Sequence, residues 1–106
     1  VSASATARVP TQSASRYLQQ LCKHWEHNLA VTFDASRGTI VFPRDARGSS
    51  WAGDATVTLI AHDTDLECRI DASVPGQLAA LEDAVARHLD RFAFREAPLA
   101  FAWQAA

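Results

Sequence analysis

The sequence predicts an α+β fold. It is a two-layer sandwich, with a mainly antiparallel sheet of four to five strands and two helices on one face, in the order α-β-β-β-β-α-β. Three observations lead there. Two stretches, Ser15–Leu29 and Leu78–Phe92, carry apolar residues at helical spacing without an interior Gly or Pro. The segments between them alternate apolar and polar residues and are separated by turns rich in breakers. Each helix is apolar along a single stripe, so both need one shared surface to bury against.

Residues 1–12 (VSASATARVPTQ) are small and polar and read as a flexible N-terminal arm, with at most a short edge strand at Ala7–Val9. Ser13 or Thr11 can cap the first helix. Leu18, Leu21, Cys22, Trp25 and Leu29 form its apolar stripe, with Tyr17, His24 and Asn28 together on one flank. Val31–Phe33 and Thr39–Phe42 make a hairpin across the turn-like Asp34–Gly38. After the breaker-rich Pro43–Ser50 comes a strand at Ala55–Ala61, then a polar turn at His62–Asp65. Leu66–Asp71 alternates cleanly, Leu66, Cys68 and Ile70 against Glu67, Arg69 and Asp71. Ser73 and Pro75 open the second helix, whose stripe is Leu78, Leu81, Val85, Leu89 and Phe92. Pro98 stops it, and Leu99, Phe101 and Trp103 give a last strand. Leu18, Leu21, Trp25, Leu81, Val85, Leu89 and Phe92 are the expected helix–sheet core.

Composition bounds the function. The 106 residues suit one domain, over 13–106, with 48% hydrophobic and 21% charged residues. Ten basic against twelve acidic side chains leave a net charge of −2, unlike a nucleic-acid binder with its basic excess. No apolar run reaches the ~18 residues of a membrane span, and no secretory signal is visible. Two cysteines, Cys22 and Cys68, far apart and in no CxxC pair, point to reduced, buried thiols and a cytoplasmic setting. The outer sheet face carries Thr39, Val41, Thr56, Thr58 and Ile60, a mixed surface that is either solvated or a homodimer contact.

The candidate chemistry is sparse. There is no GxSxG, no phosphate-binding glycine loop and no HExxH. Cys22, His24 and His27 make a CxHxxH string, but helical geometry puts Cys22 and His24 roughly 200° apart, so two ligands at best converge where a site needs three or four. His24 and His88 are the stronger pair. Each lies on the shoulder of its apolar stripe, so side-by-side helices bring both imidazoles to one groove. Imidazole is a common metal ligand and the proton carrier at neutral pH. With Tyr17 and Arg91, this groove is the candidate ligand site, for a metal held by His24 and His88 or for a small anion. The weightier reading of a flank histidine is a hydrogen bond to a nearby carbonyl at the core edge. Arg16, Lys23, Arg91 and Arg95 form a basic concentration, expected to pair with Glu26, Asp90 or Glu96. Asp63 and Asp65, and Asp45, are solvated turn residues without the calcium-loop pattern.

SRYLQQLCKHW (Ser15–Trp25), GTIVFP (Gly38–Pro43) and LEDAVARHLDRFAFRE (Leu81–Glu96) resemble the bacterial domain of unknown function 2218 family, over about Thr6 to Trp103. The resemblance implies a small single-domain bacterial protein without an assigned activity, loosely associated with iron and siderophore genes. It carries over no catalytic residue and no cofactor. The expectation is a small non-enzymatic accessory or binding domain, linked by the resemblance alone to iron or siderophore handling. The alternative is a metal-dependent or acid–base enzyme using His24 and His88, with Tyr17 as proton donor.

Overall fold

The computed structural model describes residues 3–48 and 50–106. In chain order these form β1 (Ala3–Pro10), α1 (Ala14–Trp25), β2 (Ala30–Phe33), β3 (Arg37–Phe42), a short 3-10 turn (Ala46–Gly48), β4 (Ala55–Ala61), β5 (Asp65–Ala72), α2 (Pro75–Phe92) and β6 (Gln104–Ala105). The architecture is α+β. The sheet has six strands in the order β2-β3-β4-β5-β1-β6, and every pairing is antiparallel.

The extra strand is the expected arm. Residues 3–10 pair along their whole length with β5, from Ala3 opposite Ala72 to Pro10 opposite Asp65. Ala5, Ala7 and Val9 point into the core and Ser4, Thr6 and Arg8 away from it. Alanine and serine are poor strand formers, so the alternation carries little hydrophobic contrast. What holds β1 is the eight-residue ladder and the packing of its small inner side chains beneath α2. At the other end the expected strand shrinks. Only Gln104 and Ala105 pair with β1, while 99–103 follow the surface as an irregular segment.

Directly opposed residues share a face, so the register sorts the sheet into two surfaces. Ile40, Val57, Ile70 and Ala5 run in one row of the inner face, and Gly38, Leu59, Cys68 and Ala7 in the next. All eight are buried. The outer face presents the row Thr39, Thr58, Arg69 and Thr6, and beside it Val41, Thr56, Asp71 and Ser4. Arg8 pairs there with Asp65 and Glu67, and Arg69 with Asp71. The apolar surface behind the homodimer expectation is thus confined to Val41 and Ile60.

Both helices cover the inner face. Leu18, Leu21, Cys22 and Trp25 of α1 and Leu81, Val85 and Leu89 of α2 are buried in one cluster with the inner sheet residues, as expected, and Phe92 is half-buried at its edge. The helices are shorter than their patterns. α1 ends at Trp25 rather than Leu29, its last carbonyl receiving the amides of Asn28 and Leu29. α2 ends at Phe92, well before Pro98, and continues as a turn closed by Ala97 N–H on the Ala93 carbonyl. The residue before α2 is Val74, not Ser73. Ser73 instead donates its amide and hydroxyl to Oε1 of the buried Gln77, whose Nε2 donates to the Gly53 carbonyl. That amide ties the β3–β4 connection to the first turn of α2.

Gly38 sets how closely α1 approaches. A Cβ there would lie 2.6 Å from Cys22 Sγ and 3.4 Å from Leu18 Cδ2. Gly38→Ala is therefore expected to lower stability by about 1–3 kcal/mol through overpacking, read as a lower urea midpoint at unchanged slope.

Cys22 and Cys68 are buried and unbridged. Burial pushes their thiols up from 9.0 to about 11 and about 12, respectively. The folded chain therefore keeps protons that the unfolded chain releases above pH 9. This stabilisation is complete below the unfolded value and lost as pH rises through the folded ones. Urea melts across the alkaline range should show a decline that is shallower in Cys22→Ala and Cys68→Ala. A thiol reagent should find no reactive group in the native protein and both in denaturant.

Candidate functional site

The fold brings His24 and His88 together. His24 lies in the last turn of α1 and His88 in the C-terminal half of α2, and their ring centroids are 5.1 Å apart. The His88 ring also lies 4.8 Å from that of Trp25, which meets Phe42 edge-on at 5.0 Å. His24 approaches Phe92 edge-on at 5.8 Å. His88 Nδ1 is 2.7 Å from the Ala84 carbonyl oxygen. A carbonyl only accepts, so Nδ1 carries the proton and, in the neutral ring, Nε2 carries the lone pair. The expected carbonyl bond and the expected shared groove therefore coexist. The bond fixes the ring's orientation.

The two imidazoles border a surface recess of about 500 Å³ at the ends of α1 and β3. Trp25, Leu29, Pro43 and Ala46 supply apolar walls, and Asn28 and Asp45 supply polar groups. The sequence pattern placed Asn28 on the flank of His24. It treated Asp45 as a solvated turn residue, because the histidines it meets here come from α1 and α2 and not from its own β3–β4 connection.

The other two candidate residues do not join this recess. Tyr17 sits two helical turns earlier on α1. Its hydroxyl donates to Glu96 Oε2, and Thr11 Oγ1 donates to the same carboxylate at 3.0–3.1 Å. Thr11 in turn accepts the Ser13 amide at 3.1 Å, a local turn ahead of α1, and the helix start has no side-chain cap bond, so neither expected residue caps it. Tyr17 is buried in this cluster and is removed from the histidines as a proton donor. Arg91 is exposed on α2 and does not line the recess.

The expected pairing of the basic residues is also absent. Among the described residues, Arg16, Lys23, Arg91 and Arg95 have no ion-pair partner, whereas Arg8, Arg69 and Arg87 do. The acids meant for them are used elsewhere. Glu96 holds Tyr17 and Thr11, and Asp90 Oδ1 accepts the Leu99 amide at 2.9 Å. Because α2 ends at Phe92, Arg95 lies in the following turn and shares no helix face with Arg91.

Cys22, His24 and His27 do not converge. Cys22 is buried against Gly38, His24 is exposed at the recess, and His27 lies in the turn beyond α1. Among the described residues no group of three or more His, Cys, Asp or Glu side chains is placed to hold a metal. None of their helices is long and apolar enough to cross a membrane.

The model of a bacterial family described as uncharacterised proteins conserved in bacteria, the domain of unknown function 2218, matches residues 6–104. The chain belongs to this family. A solved structure agrees. The NMR structure of PA4090 from Pseudomonas aeruginosa is similar at 34% identity, covering 95% of this chain and 94% of that one, with a TM-score of 0.72. The comparison with curated proteins finds no match. The 2218 family carries no assigned activity.

Tyr17 is the chain's single tyrosine, so alkaline phenolate absorbance reports it alone. The hydrogen bond to Glu96, burial and the Glu96 charge all hold its proton on, raising its pKa above 10.0. The native midpoint should lie above that of the denatured chain, and Glu96→Gln should lower it. Equal midpoints in native and denatured protein would remove the cluster.

Proposed function

We propose that this domain is a non-enzymatic ligand-binding accessory module whose site is the recess between His24 and His88. One observation carries the reading: two imidazoles and the Trp25 ring meet at one recess of ligand-binding size with apolar walls. With Trp25 buried behind them, the imidazoles favour a flat, unsaturated molecule that packs against them and donates a hydrogen bond to the exposed His24. Asp45 on the rim and the absence of Arg91 from the lining turn the ligand class away from a simple anion. They favour a molecule that brings its own donors, such as hydroxyls.

The link to iron or siderophores enters here as part of the proposal, and it rests on the family resemblance. Two imidazoles leave a metal with most of its coordination positions unfilled. The recess therefore suits a metal arriving in an organic chelate better than a bare ion, with the chelate supplying the remaining ligands. The proximity of the histidines also favours an acid–base reading, but that reading loses its phenol, because Tyr17 is bonded to Glu96.

The test is a titration followed by amide and imidazole NMR shifts, using Zn²⁺, Fe³⁺, a ferric bis-catecholate, a ferric bis-hydroxamate and free catechol. A chelate or catechol should shift His24, Trp25, Asn28, Leu29 and His88 and leave Tyr17 and Arg91 unmoved. His24→Ala and His88→Ala should each weaken binding about tenfold, on the order of 1.4 kcal/mol. No response at these residues to any of the five would leave the recess a packing feature. Turnover of a ferric chelate by the isolated protein would overturn the non-enzymatic reading.

A further inference from the structure

The outer side of α1 is chemically unlike the rest of the surface. The chain carries a net charge of −2, yet this side presents Arg16 and Lys23 with no ion-pair partner among the described residues. They border a shallow groove of about 570 Å³ whose other walls are glutamines and serines, among them Gln19 and Gln20. Arg16 also borders a second, smaller recess of about 140 Å³ with Phe94 and Arg95, so the two depressions lie on either side of its side chain. Neither is lined by a carboxylate. Phe94 is 71% exposed, the one large apolar side chain left in solvent among the described residues, and the Arg95 guanidinium lies 5.7 Å from its ring centroid. Gln20 Oε1 is buried beside the groove without a hydrogen-bond donor.

We infer that this surface docks an acidic segment of a partner protein, its carboxylates on Arg16, Lys23 and Arg95 and an apolar side chain against Phe94. Charge complementarity selects the partner. Three cations without acids of their own attract a carboxylate-bearing segment, and arginine receives carboxylates bidentately. The glutamines suit a peptide backbone, since each offers both a donor and an acceptor. Arg16 and Lys23 are two helical turns apart, about 10 Å, which matches acids two turns apart on a partner helix. A nucleic acid fits less well. Its dense phosphates would face a molecule of net negative charge and, among the described residues, a single exposed large apolar ring. This site is separate from the His24–His88 recess and shares no lining residue with it.

The experiment measures fluorescence anisotropy of a labelled Glu/Leu peptide with glutamates two turns apart, its Lys/Leu counterpart and an oligothymidylate, each added to the full chain. The Glu/Leu peptide should bind, more weakly as salt rises, and should shift the amides of Arg16, Gln19, Lys23 and Arg95. Arg16→Glu combined with Lys23→Glu should weaken it by about tenfold or more, and Phe94→Ala several-fold, with melting temperatures unchanged because these side chains are exposed. Equal binding by the charge-reversed variant, no binding of the Glu/Leu peptide, or tighter binding of either other probe would overturn the inference.

Discussion

The seat of α1 on the sheet governs where everything else lies. Cys22 Sγ occupies the space over Gly38 that any larger residue would fill, and Leu18 closes the same gap from the preceding turn. This close approach lets Trp25 reach the sheet and pack edge-on against Phe42 at the end of β3. With Trp25 fixed there, α2 can settle beside α1 so that His88 lies against the indole and His24 faces it across the seam. The geometry of the imidazole pair is thus inherited from core packing. No direct hydrogen bond between the two rings is needed to produce it.

A second consequence concerns charge. The acids at the end of α2 and in the turn after it could have neutralised the basic residues nearby, but they serve the fold. Glu96 anchors the turn to Tyr17 and Thr11, joining the ends of β1, α1 and α2, and Asp90 catches the chain at Leu99. What remains on the outer side of α1 is cationic. On the sheet's open face, by contrast, Arg8 pairs with Asp65 and Glu67 across the β1–β5 ladder and Arg69 with Asp71 of its own strand. The chemistry that can recognise something else therefore gathers on the helical layer.

Much of this was legible in the sequence. The inner rows of β3, β4 and β5 follow simple alternation, and both helical stripes fall where period and breakers put them. The shoulder positions of His24 and His88 foretold their meeting, because neighbouring helices on one sheet face turn their flanks together. Three features were hidden for identifiable reasons. β1 is built from alanine, serine and threonine, whose small contrast looks like a polar arm until its β5 partner is known. Tyr17 shares a helical flank with His24, but its partner Glu96 lies 79 residues away, and no local pattern reveals that bond. Gln77 lies outside the apolar stripe of its helix, yet it is buried because the β3–β4 connection folds over it and presents the Gly53 carbonyl.

The central claim is that core packing holds His24 and His88 as one unit, with the His88 proton on Nδ1. Imidazole-resolved NMR of the native protein tests it most directly, through the nitrogen tautomer signature of His88 and the cross-relaxation between its ring protons and those of His24. The account requires a single His88 tautomer protonated at Nδ1, with ring-to-ring contacts to both His24 and Trp25. A His88 ring averaging between tautomers, or lacking contact with His24, would contradict it.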